Sequence, residues 1–251
     1  MKILIIGGTG LTGKKVANNL RQLGYEVLAA SPSTGVNAMT GEGLSAAVKG
    51  AQIVIDLSNP PSFADQVVMD FFETSGRNLM AAEEAAGVKH HIVLSIVGTD
   101  RMQGSAYFRG KLVQENLVKA SKVPYTIVRS PQFYEFLEGI AQYGTVGNEV
   151  HLPSAHVQPI AVDDIAAIVT DASLAQPLNG TFDAAGPEKV GLAAIVERYL
   201  NAVGDKRVVV ADAKAGYFGS SLDDLSLTPL GDARIGATRF EAWFDKSHSA
   251  R

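Results

Sequence analysis

The chain opens with Met1-Lys-Ile-Leu-Ile-Ile-Gly-Gly-Thr-Gly-Leu-Thr-Gly13, and this stretch decides its fold. The β-branched, apolar first half is typical of a strand that is buried on both faces. The glycines follow at once, and a helical pattern of apolar residues then runs to Leu23 before Gly24 ends it. A strand, a glycine-rich turn and a helix in this order are the setting in which such glycines bind a dinucleotide.

Each glycine of this turn would have a separate task in such a site. Gly7 would permit the tight turn, Gly10 would let the backbone approach a pyrophosphate, and Gly13 would let the helix pack closely on the strand. The free N–H groups at the helix start, aided by the helix dipole, would hold the phosphate charge. Three glycines alone also occur in ordinary turns, so the nucleotide site is predicted from the strand before them and the helix after them.

Length, composition and charge limit the classes of protein. The 251 residues, 46% of them hydrophobic, suit one compact α/β domain with room for a small appended subdomain. The net charge of −4 and the lack of a long basic run disfavour nucleic-acid binding. Cysteine is absent, which excludes disulfides and Cys-ligated zinc. The N-terminus does not resemble a signal peptide, and no stretch reaches the ~18 apolar residues of a membrane span, so we expect a cytoplasmic protein.

The alternation of strands and helices along the whole chain predicts a doubly wound parallel sheet of the Rossmann type. Further strands are indicated at 25–30, 51–57, 91–97, 125–129 and 181–185. We predict a dinucleotide-binding Rossmann core over residues 1–131. Residues 132–251 are expected to form a small C-terminal substrate-binding subdomain or lid, in which 162–203 returns strands and helices to the core. There Asp163 or Asp164 is expected to cap a helix that begins at Ile165.

Two loops at predicted strand ends bear on the cofactor. Leu57, Ser58 and Asn59 follow the third strand and are predicted to flank the cofactor, because the carboxyl ends of parallel strands border the ligand crevice. After the second strand the chain reads Ser-Pro-Ser-Thr-Gly at 31–35, without the acidic residue that would hold the ribose 2′-hydroxyl of NAD. Its hydroxyls could bind a 2′-phosphate, so the loop favours NADP over NAD, although an ordinary loop explains the same composition.

Three side chains have the chemistry of a hydride-transfer site. Tyr107 and Lys111 are four residues apart on a predicted helix and therefore share a face, and Ser95 stands at the end of a predicted central strand. We expect Tyr107 to protonate the oxygen of a reduced carbonyl, with a pKa lowered by the neighbouring ammonium of Lys111. Lys111 would also hold the nicotinamide ribose, and Ser95 would polarise the carbonyl. A Tyr/Lys pair at this spacing is also common on solvated helix faces.

Two other sets of residues have alternative interpretations. The aromatic residues that follow the strand at 125–129 could wall an apolar substrate pocket or could be ordinary packing: they are Phe133, Tyr134, Phe136 and Tyr143. The adjacent His90 and His91 would point to opposite faces of a strand, and no carboxylate spacing supports a metal site, so none is predicted.

Four stretches resemble the NmrA-like atypical short-chain dehydrogenase/reductases. They are Gly-Gly-Thr-Gly-Leu-Thr-Gly at 7–13, Leu-Ser-Ile-Val-Gly at 94–98, Tyr-Phe-Arg-Gly-Lys at 107–111 with Glu115, and Pro-Tyr-Thr-Ile-Val-Arg at 124–129 with Pro131-Gln-Phe133. The resemblance covers residues 1–200 and implies a Rossmann fold with NADP in the crevice. By position it assigns the phosphates to Gly7, Thr9, Gly10, Leu11, Thr12 and Gly13, the ribose phosphate to Ser31 and Ser33, and the nicotinamide side to Ser95, Lys111, Pro131 and Phe133. Many relatives have an arginine where this chain has Ser31.

Three functional hypotheses remain open, and the resemblance implies the first two kinds of protein. The first is an NADPH-dependent oxidoreductase that reduces a small apolar carbonyl or quinone. The second is a non-catalytic NADP-binding regulator that senses the redox state of the cofactor and acts through a protein partner. A third is an isomerase or epimerase that uses the cofactor transiently. Phe240 and Trp243 could form a homodimer contact or could dock onto the core of their own chain.

Overall fold

A computed structural model describes residues 1–249 and contains a seven-stranded parallel sheet. The strands of the chain are β1 (Lys2–Ile6), β2 (Glu26–Ala30), β3 (Ala51–Asp56), β4 (His90–Ile96), β5 (Tyr125–Ser130), β6 (Thr145–Val146), β7 (Glu149–Leu152), β8 (His156–Val157), β9 (Gly180–Ala185), β10 (Val190–Gly191), β11 (Val208–Ala211) and β12 (Ala233–Ile235). The large sheet has the order β12-β9-β5-β4-β3-β1-β2. The chain goes outward from β1 to β2 and then returns past β1 to β3, so the winding reverses between β1 and β3. This confirms the predicted doubly wound fold.

Helices cover both faces of this sheet. They are α1 (Leu11–Gln22), α2 (Leu44–Val48), α3 (Asp65–Ala86), α4 (Ala106–Ala120), α5 (Leu137–Tyr143), α6 (Val162–Leu174), α7 (Leu192–Val203) and α8 (Phe240–His248). Strand β1 shows why both faces need cover, because its side chains alternate between them. Ile3 and Ile5 pack with α1 and α6, whereas Leu4 and Ile6 pack with α2 and α3. All four side chains are buried, which explains the unbroken apolar run in the sequence.

One part of the C-terminal half joins the main sheet. The other part forms a smaller lobe, which contains α5, α7, α8 and the small sheet of β6, β7 and β11. Helix α6 and strand β9 return to the main sheet, and β12 adds its outermost strand. Helix α7, which the sequence analysis placed in the same returning segment, instead packs its apolar residues into a separate core with α5 and α8. In this lobe β11 pairs with β7, which joins residues 208–211 to 149–152.

Helix α6 begins three residues earlier than predicted, and neither predicted aspartate caps it. The backbone N–H of Val162 instead donates to the carboxylate of Glu135. Asp163 accepts from Lys15 and Lys246, and Asp164 accepts from Thr238. The expected cap was wrong because an acceptor from a distant segment occupies the helix start.

The last helix of the chain docks onto its own lobe. Phe240 and Trp243 are both buried, and their rings contact the ring of Tyr134. The indole N–H of Trp243 donates to Glu135 at 2.9 Å. The two aromatic residues therefore belong to the interior of this chain. None of the helices within residues 1–249 has both the length and the apolar character needed to cross a bilayer.

Candidate functional site

A cavity of about 1060 Å³ lies at the carboxyl ends of β1, β3, β4 and β5, where the winding of the sheet reverses. Ligands of doubly wound sheets bind at this position. The predicted site residues that line the cavity are Gly7, Thr9, Gly10, Leu11, Thr12, Gly13, Leu57, Ser58, Asn59, Ser95, Tyr107, Lys111, Pro131 and Phe133. Ser31 and Ser33, which were predicted from the loop after β2, are not among its lining residues.

The glycine turn has the shape that a pyrophosphate needs. Gly7 has a φ of +74°, and a Cβ on it would lie 2.6 Å from the carbonyl oxygen of Leu57. A Cβ on Gly13 would lie 2.2 Å from the carbonyl oxygen of Gly7, so the helix start packs directly on the turn. A Cβ on Gly10 would meet only the Gly7 oxygen, at 3.2 Å, and would otherwise point into open space. The backbone at Gly10 is therefore accessible to a ligand.

Unpaired donors of helix α1 face the same side. The first backbone N–H that finds a helical acceptor is that of Lys14, which donates to Gly10 at 3.0 Å. The N–H groups of Leu11, Thr12 and Gly13 precede it and have no acceptor within the helix. Together with the dipole of α1 they form a site suited to a phosphate group. The residues present thus fit the dinucleotide that the sequence predicts.

The loop after β2 folds into a short 3₁₀ turn over Pro32–Thr34. The hydroxyls of Ser31 and Ser33 are 2.8 Å apart and hydrogen-bond each other, and the N–H of Ser31 donates to the hydroxyl of Thr34. The structure therefore brings the two predicted serines together. Their binding of a 2′-phosphate stays a prediction.

Tyr107 lies between two aromatic rings on the cavity wall. Its hydroxyl donates to the side-chain oxygen of Asn59 at 2.8 Å, and its ring contacts those of Phe63 and Phe72. Burial raises the pKa of the Tyr107 hydroxyl well above its usual value, against a smaller opposing effect of the Asn59 hydrogen bond. The expectation that Lys111 lowers this pKa is wrong, because the ammonium has other partners.

Lys111 is buried at the floor of the cavity. Its Nζ donates to the carbonyl of Leu94 at 2.9 Å and to the side-chain oxygen of Gln114 at 3.0 Å, and it lies 4.6 Å from the centre of the Phe72 ring. Burial lowers the pKa of Lys111 to about 8, while the carboxylates of Asp56 and Glu115 act in the opposite direction. The ammonium is therefore charged at neutral pH but close to titrating.

Ser95 is joined to a buried ion pair. Its hydroxyl donates to Glu115 at 2.7 Å. The guanidinium of Arg129 donates two hydrogen bonds of 2.8 Å to the same carboxylate. Burial acts to raise the pKa of Glu115, but the hydrogen bonds from Arg129 and Ser95 outweigh it and hold the pKa below its usual value. The Ser95 proton is thus committed to a carboxylate. Ser95, Tyr107 and Lys111 share one cavity, but each side chain is bonded to a different partner.

Aromatic side chains form part of the cavity wall, and we call them the aromatic wall. The rings of Phe133 and Phe136 stack at 5.4 Å, and those of Tyr143 and Phe218 stack at 4.1 Å. Phe63, Phe136, Tyr143 and Phe218 remain between 42% and 69% exposed, so they border an open mouth. The sequence analysis did not single out Phe218, which lies between β11 and β12. Tyr134 lies in the core of the lobe and does not line the cavity.

Three buried polar residues near the site were missed by the sequence analysis. Asp56 and Gln114 bond each other beneath Lys111, and Gln132 lines the cavity with its side chain next to the hydroxyl of Tyr217. Asp56 had a recognisable signal, since an acidic residue that ends an apolar strand is unusual. Gln114 and Gln132 had none, because glutamine is common on helices and in loops.

The adjacent histidines have structural partners. His90 is hydrogen-bonded to Thr126 on the neighbouring strand, and His91 is hydrogen-bonded to Glu83 on α3. Within residues 1–249, no three histidine or carboxylate side chains are placed to hold a metal ion together.

Comparisons with known proteins fit this geometry. A family model described as NAD(P)H-binding matches residues 7–176. A (4-alkanoyl-5-oxo-2,5-dihydrofuran-3-yl)methyl phosphate reductase from Streptomyces griseus is 28% identical over 206 residues, which cover 75% of this chain and 69% of that protein. The photosystem II assembly factor Ycf39 from Cyanophora paradoxa is 27% identical over 153 residues, which cover 55% of this chain and 48%, about half, of that protein.

A solved structure supports the fold. A short-chain dehydrogenase/reductase superfamily protein from Agrobacterium tumefaciens, crystallised with bound NAD, superposes with a TM-score of 0.73. The two proteins are 18% identical, and the superposition covers 100% of this chain and 97% of the other. These matches are compatible with the resemblance to NmrA-like proteins, although their descriptions do not contain that name.

Proposed function

The chain belongs to the NAD(P)H-binding family, and from that premise we propose that it is an NADPH-dependent oxidoreductase that reduces a small apolar carbonyl or quinone. One observation carries the proposal: the glycine turn, Tyr107, Lys111 and an aromatic wall line a single cavity. The Streptomyces griseus relative, whose name describes a reductase, supports the same class of reaction.

NADPH would supply the hydride. The glycine turn and the start of α1 would bind its pyrophosphate, and Lys111 would hold the nicotinamide ribose. Pro131 and Phe133 would flank the nicotinamide, since both line the cavity at the end of β5. Leu57, Ser58 and Asn59 would contact the cofactor at the end of β3.

Tyr107 would serve as the acid that protonates the reduced oxygen. A hydroxyl with a raised pKa stays protonated at neutral pH and so carries the proton that the reduction needs, but burial makes it a weaker acid than an ordinary tyrosine. The substrate oxygen would replace Asn59 as the acceptor of its hydrogen bond. Ser95 would offer its lone pairs and not its proton, because Glu115 takes the proton. This differs from the polarising role expected from the sequence.

The aromatic wall favours an apolar substrate with few polar groups. Burying the apolar surface of such a substrate is worth roughly 25 cal/mol per Å². A flat quinone or an aromatic aldehyde satisfies this condition.

The test is a reductase assay with a panel of quinones and aldehydes, in which oxidation of NADPH is followed by absorbance. We expect turnover by the wild-type protein and a loss of about 100-fold or more in Tyr107→Phe. Tyr125→Phe is the matched control, because its ring lies at the opposite end of the sheet and should leave the rate unchanged. Equal rates in wild type and Tyr107→Phe would reject the proposed acid.

NADP preference is a separate part of the proposal. Titration with NADPH and NADH should show at least tenfold tighter binding of NADPH, a gap of about 1.4 kcal/mol. Ser31→Asp should abolish the gap, because a carboxylate at this loop repels a 2′-phosphate and accepts from a 2′-hydroxyl. Asn201→Asp adds the same charge on an exposed surface of α7 and should leave the gap intact.

One observation favours a second function, a non-catalytic NADP-binding regulator. Ser95, Tyr107 and Lys111 are each bonded to a separate protein partner, namely Glu115, Asn59 and Gln114. The assembly factor from Cyanophora paradoxa is also among the relatives, and its name describes no enzyme. Micromolar binding of NADPH with no turnover across the panel would favour this function over the first.

A further inference from the structure

We propose that Asp56 and Gln114 are positioning residues that hold the ammonium of Lys111 in place and keep it charged. They would act together as one unit beneath the floor of the cavity. The consequence for cofactor binding rests on the proposed function, whereas the placement and charge of the ammonium can be tested without it.

A chain of hydrogen bonds links the three residues. The side-chain oxygen of Gln114 accepts from Lys111 at 3.0 Å, and its side-chain nitrogen donates to Asp56 at 2.7 Å. A lysine can only donate and an ionised carboxylate can only accept, so these two partners fix the orientation of the amide between them. All three residues are 4% exposed or less. The amide therefore transmits the position of the carboxylate to the ammonium.

The charges around Lys111 single out Asp56 as its counterion. A buried ammonium needs a compensating charge, and the two carboxylates that act on it are those of Asp56 from β3 and Glu115 from α4. Glu115 is already paired with Arg129 at 2.8 Å and with Lys119 at 3.0 Å. On the far side of Asp56, Glu83 and His91 form a pair of their own. The charge of Asp56 acts on His91 as well as on Lys111, but Asp56 is the first of the two carboxylates that favour the charged form of Lys111.

The same carboxylate also anchors the loop that borders the cofactor cavity. The other oxygen of Asp56 accepts from the backbone N–H of Ser58 at 2.9 Å and from its hydroxyl at 2.6 Å. Asn59, the next residue, accepts from Tyr107. One buried acid at the end of β3 thus fixes a cavity loop and, through Gln114, a lysine of α4.

The first experiment measures the titration of Lys111 directly. In protein labelled with nitrogen-15 lysine, the Nζ signal of Lys111 is followed against pH, and Lys111→Arg identifies it. We expect a midpoint near pH 8 in the wild type. Asp56→Asn should lower this midpoint by at least about half a unit, because an opposite charge that favoured the ammonium is lost.

Two further variants keep this experiment decisive. Gln114→Met removes the bridge while keeping an unbranched side chain, and it should also lower the midpoint. Thr126→Val is the control, since it removes the buried bond between Thr126 and His90 at the other end of the sheet. It should leave the midpoint unchanged. An unchanged midpoint in folded Gln114→Met, and in Asp56→Asn if that variant folds, would overturn the proposal.

A double-mutant cycle then tests the link to the cofactor. Gln114→Met should weaken NADPH binding about fivefold in the wild-type background and less than twofold in Lys111→Met, because the glutamine acts through the lysine. Equal effects in both backgrounds would contradict the positioning role. If wild-type protein binds no NADPH, the proposed function fails, while the titration still decides whether Asp56 and Gln114 hold the ammonium.

Discussion

Two glycines of the first turn have opposite surroundings, although the sequence shows them as equals. A side chain at position 13 would collide with the backbone oxygen of Gly7 at 2.2 Å, whereas one at position 10 would meet that oxygen at 3.2 Å and nothing else within contact distance. We infer that Gly13 serves the packing of α1 on the turn and that Gly10 serves the ligand.

This difference gives a paired prediction. Gly13→Ala should lower the free energy of unfolding by about 3 kcal/mol, because backbone must move to admit the methyl group. Gly10→Ala should change it by less than about 1 kcal/mol but weaken NADPH binding about tenfold. Denaturant unfolding and a fluorescence titration measure the two effects. A stable Gly13→Ala or a fully binding Gly10→Ala would contradict this assignment.

The pair of buried Glu115 and partly buried Arg129 predicts a pH-dependent stability. Glu115→Gln should lower the free energy of unfolding by about 2 kcal/mol at neutral pH, because the guanidinium loses its bidentate partner and keeps only the half-exposed carboxylate of Asp100. The pKa of Glu115 is held below its ordinary value of 4.5. Its contribution is therefore present above that pH and disappears as the pH falls through the folded-state pKa.

The control for this prediction is an exposed pair of the same type. Glu73 and Arg77 are one turn apart on α3 and more than half exposed. Glu73→Gln should change the free energy of unfolding by less than about 0.5 kcal/mol at any pH. The difference in the free energy of unfolding between wild type and Glu115→Gln should shrink as the pH falls. If this difference stayed constant down to pH 3, the ion pair of Glu115 and Arg129 would not be its cause.

Most residues that line the cavity at the predicted positions could be selected from the sequence, but their hydrogen-bond partners could not. Spacing along one helix was enough to select Tyr107 and Lys111. Tyr107 is hydrogen-bonded to Asn59, which lies 48 positions away along the chain. Gln114 is hydrogen-bonded to Asp56, which lies 58 positions away. Local patterns contain no information on such contacts, so the expected Tyr107–Lys111 interaction was replaced by two separate ones.

At the scale of elements, one glutamate accepts hydrogen bonds from both the start of α6 and α8. Glu135 accepts from the backbone N–H of Val162 and from the indole of Trp243. Rules for helix caps look for a side chain next to the helix start, and here they selected Asp163 and Asp164. The acceptor that the fold uses is 27 residues away from Val162. The cap could not be predicted for that reason.

Trp243 offers a test of this junction. Trp243→Phe should lower the free energy of unfolding by about 1–2 kcal/mol, since it loses a hydrogen bond and some packing, and Trp243→Ala by about 3–5 kcal/mol. Both should bind NADPH within twofold of the wild type, because the ring packs in the lobe and does not line the cavity. Loss of binding in Trp243→Phe would show that the lobe and the cofactor site are coupled.

At the scale of the whole molecule, six of the seven sheet strands were predictable, whereas β12 and the lobe were not. The six predicted sheet strands have five to seven residues each, whereas β12 has three. In the lobe, β6, β8 and β10 have only two residues each, and no periodicity can be recognised in so short a segment. Helix α7 has a clear apolar face, but the face does not reveal whether the sheet or the lobe will cover it.

Cofactor binding should stabilise the molecule as a whole. At a concentration of NADPH about 100 times its dissociation constant, linkage adds about 2.7 kcal/mol to the free energy of unfolding. Thermal unfolding should therefore shift upward with NADPH in the wild type. In Gly10→Ala, tenfold weaker binding at the same nucleotide concentration should reduce the gain to about 1.4 kcal/mol and the shift to about half. Equal shifts would place the nucleotide somewhere other than the glycine turn.

The central claim is that NADPH bound in this cavity gives up its hydride to an apolar carbonyl or quinone. The most direct measurement is a single turnover: protein saturated with NADPH is mixed with each acceptor in turn, and the fluorescence of the bound nicotinamide is followed. The account predicts rapid loss of this fluorescence in the wild type with at least one acceptor, and a rate about 100-fold lower in Tyr107→Phe. Bound NADPH that stays reduced with every acceptor would contradict it.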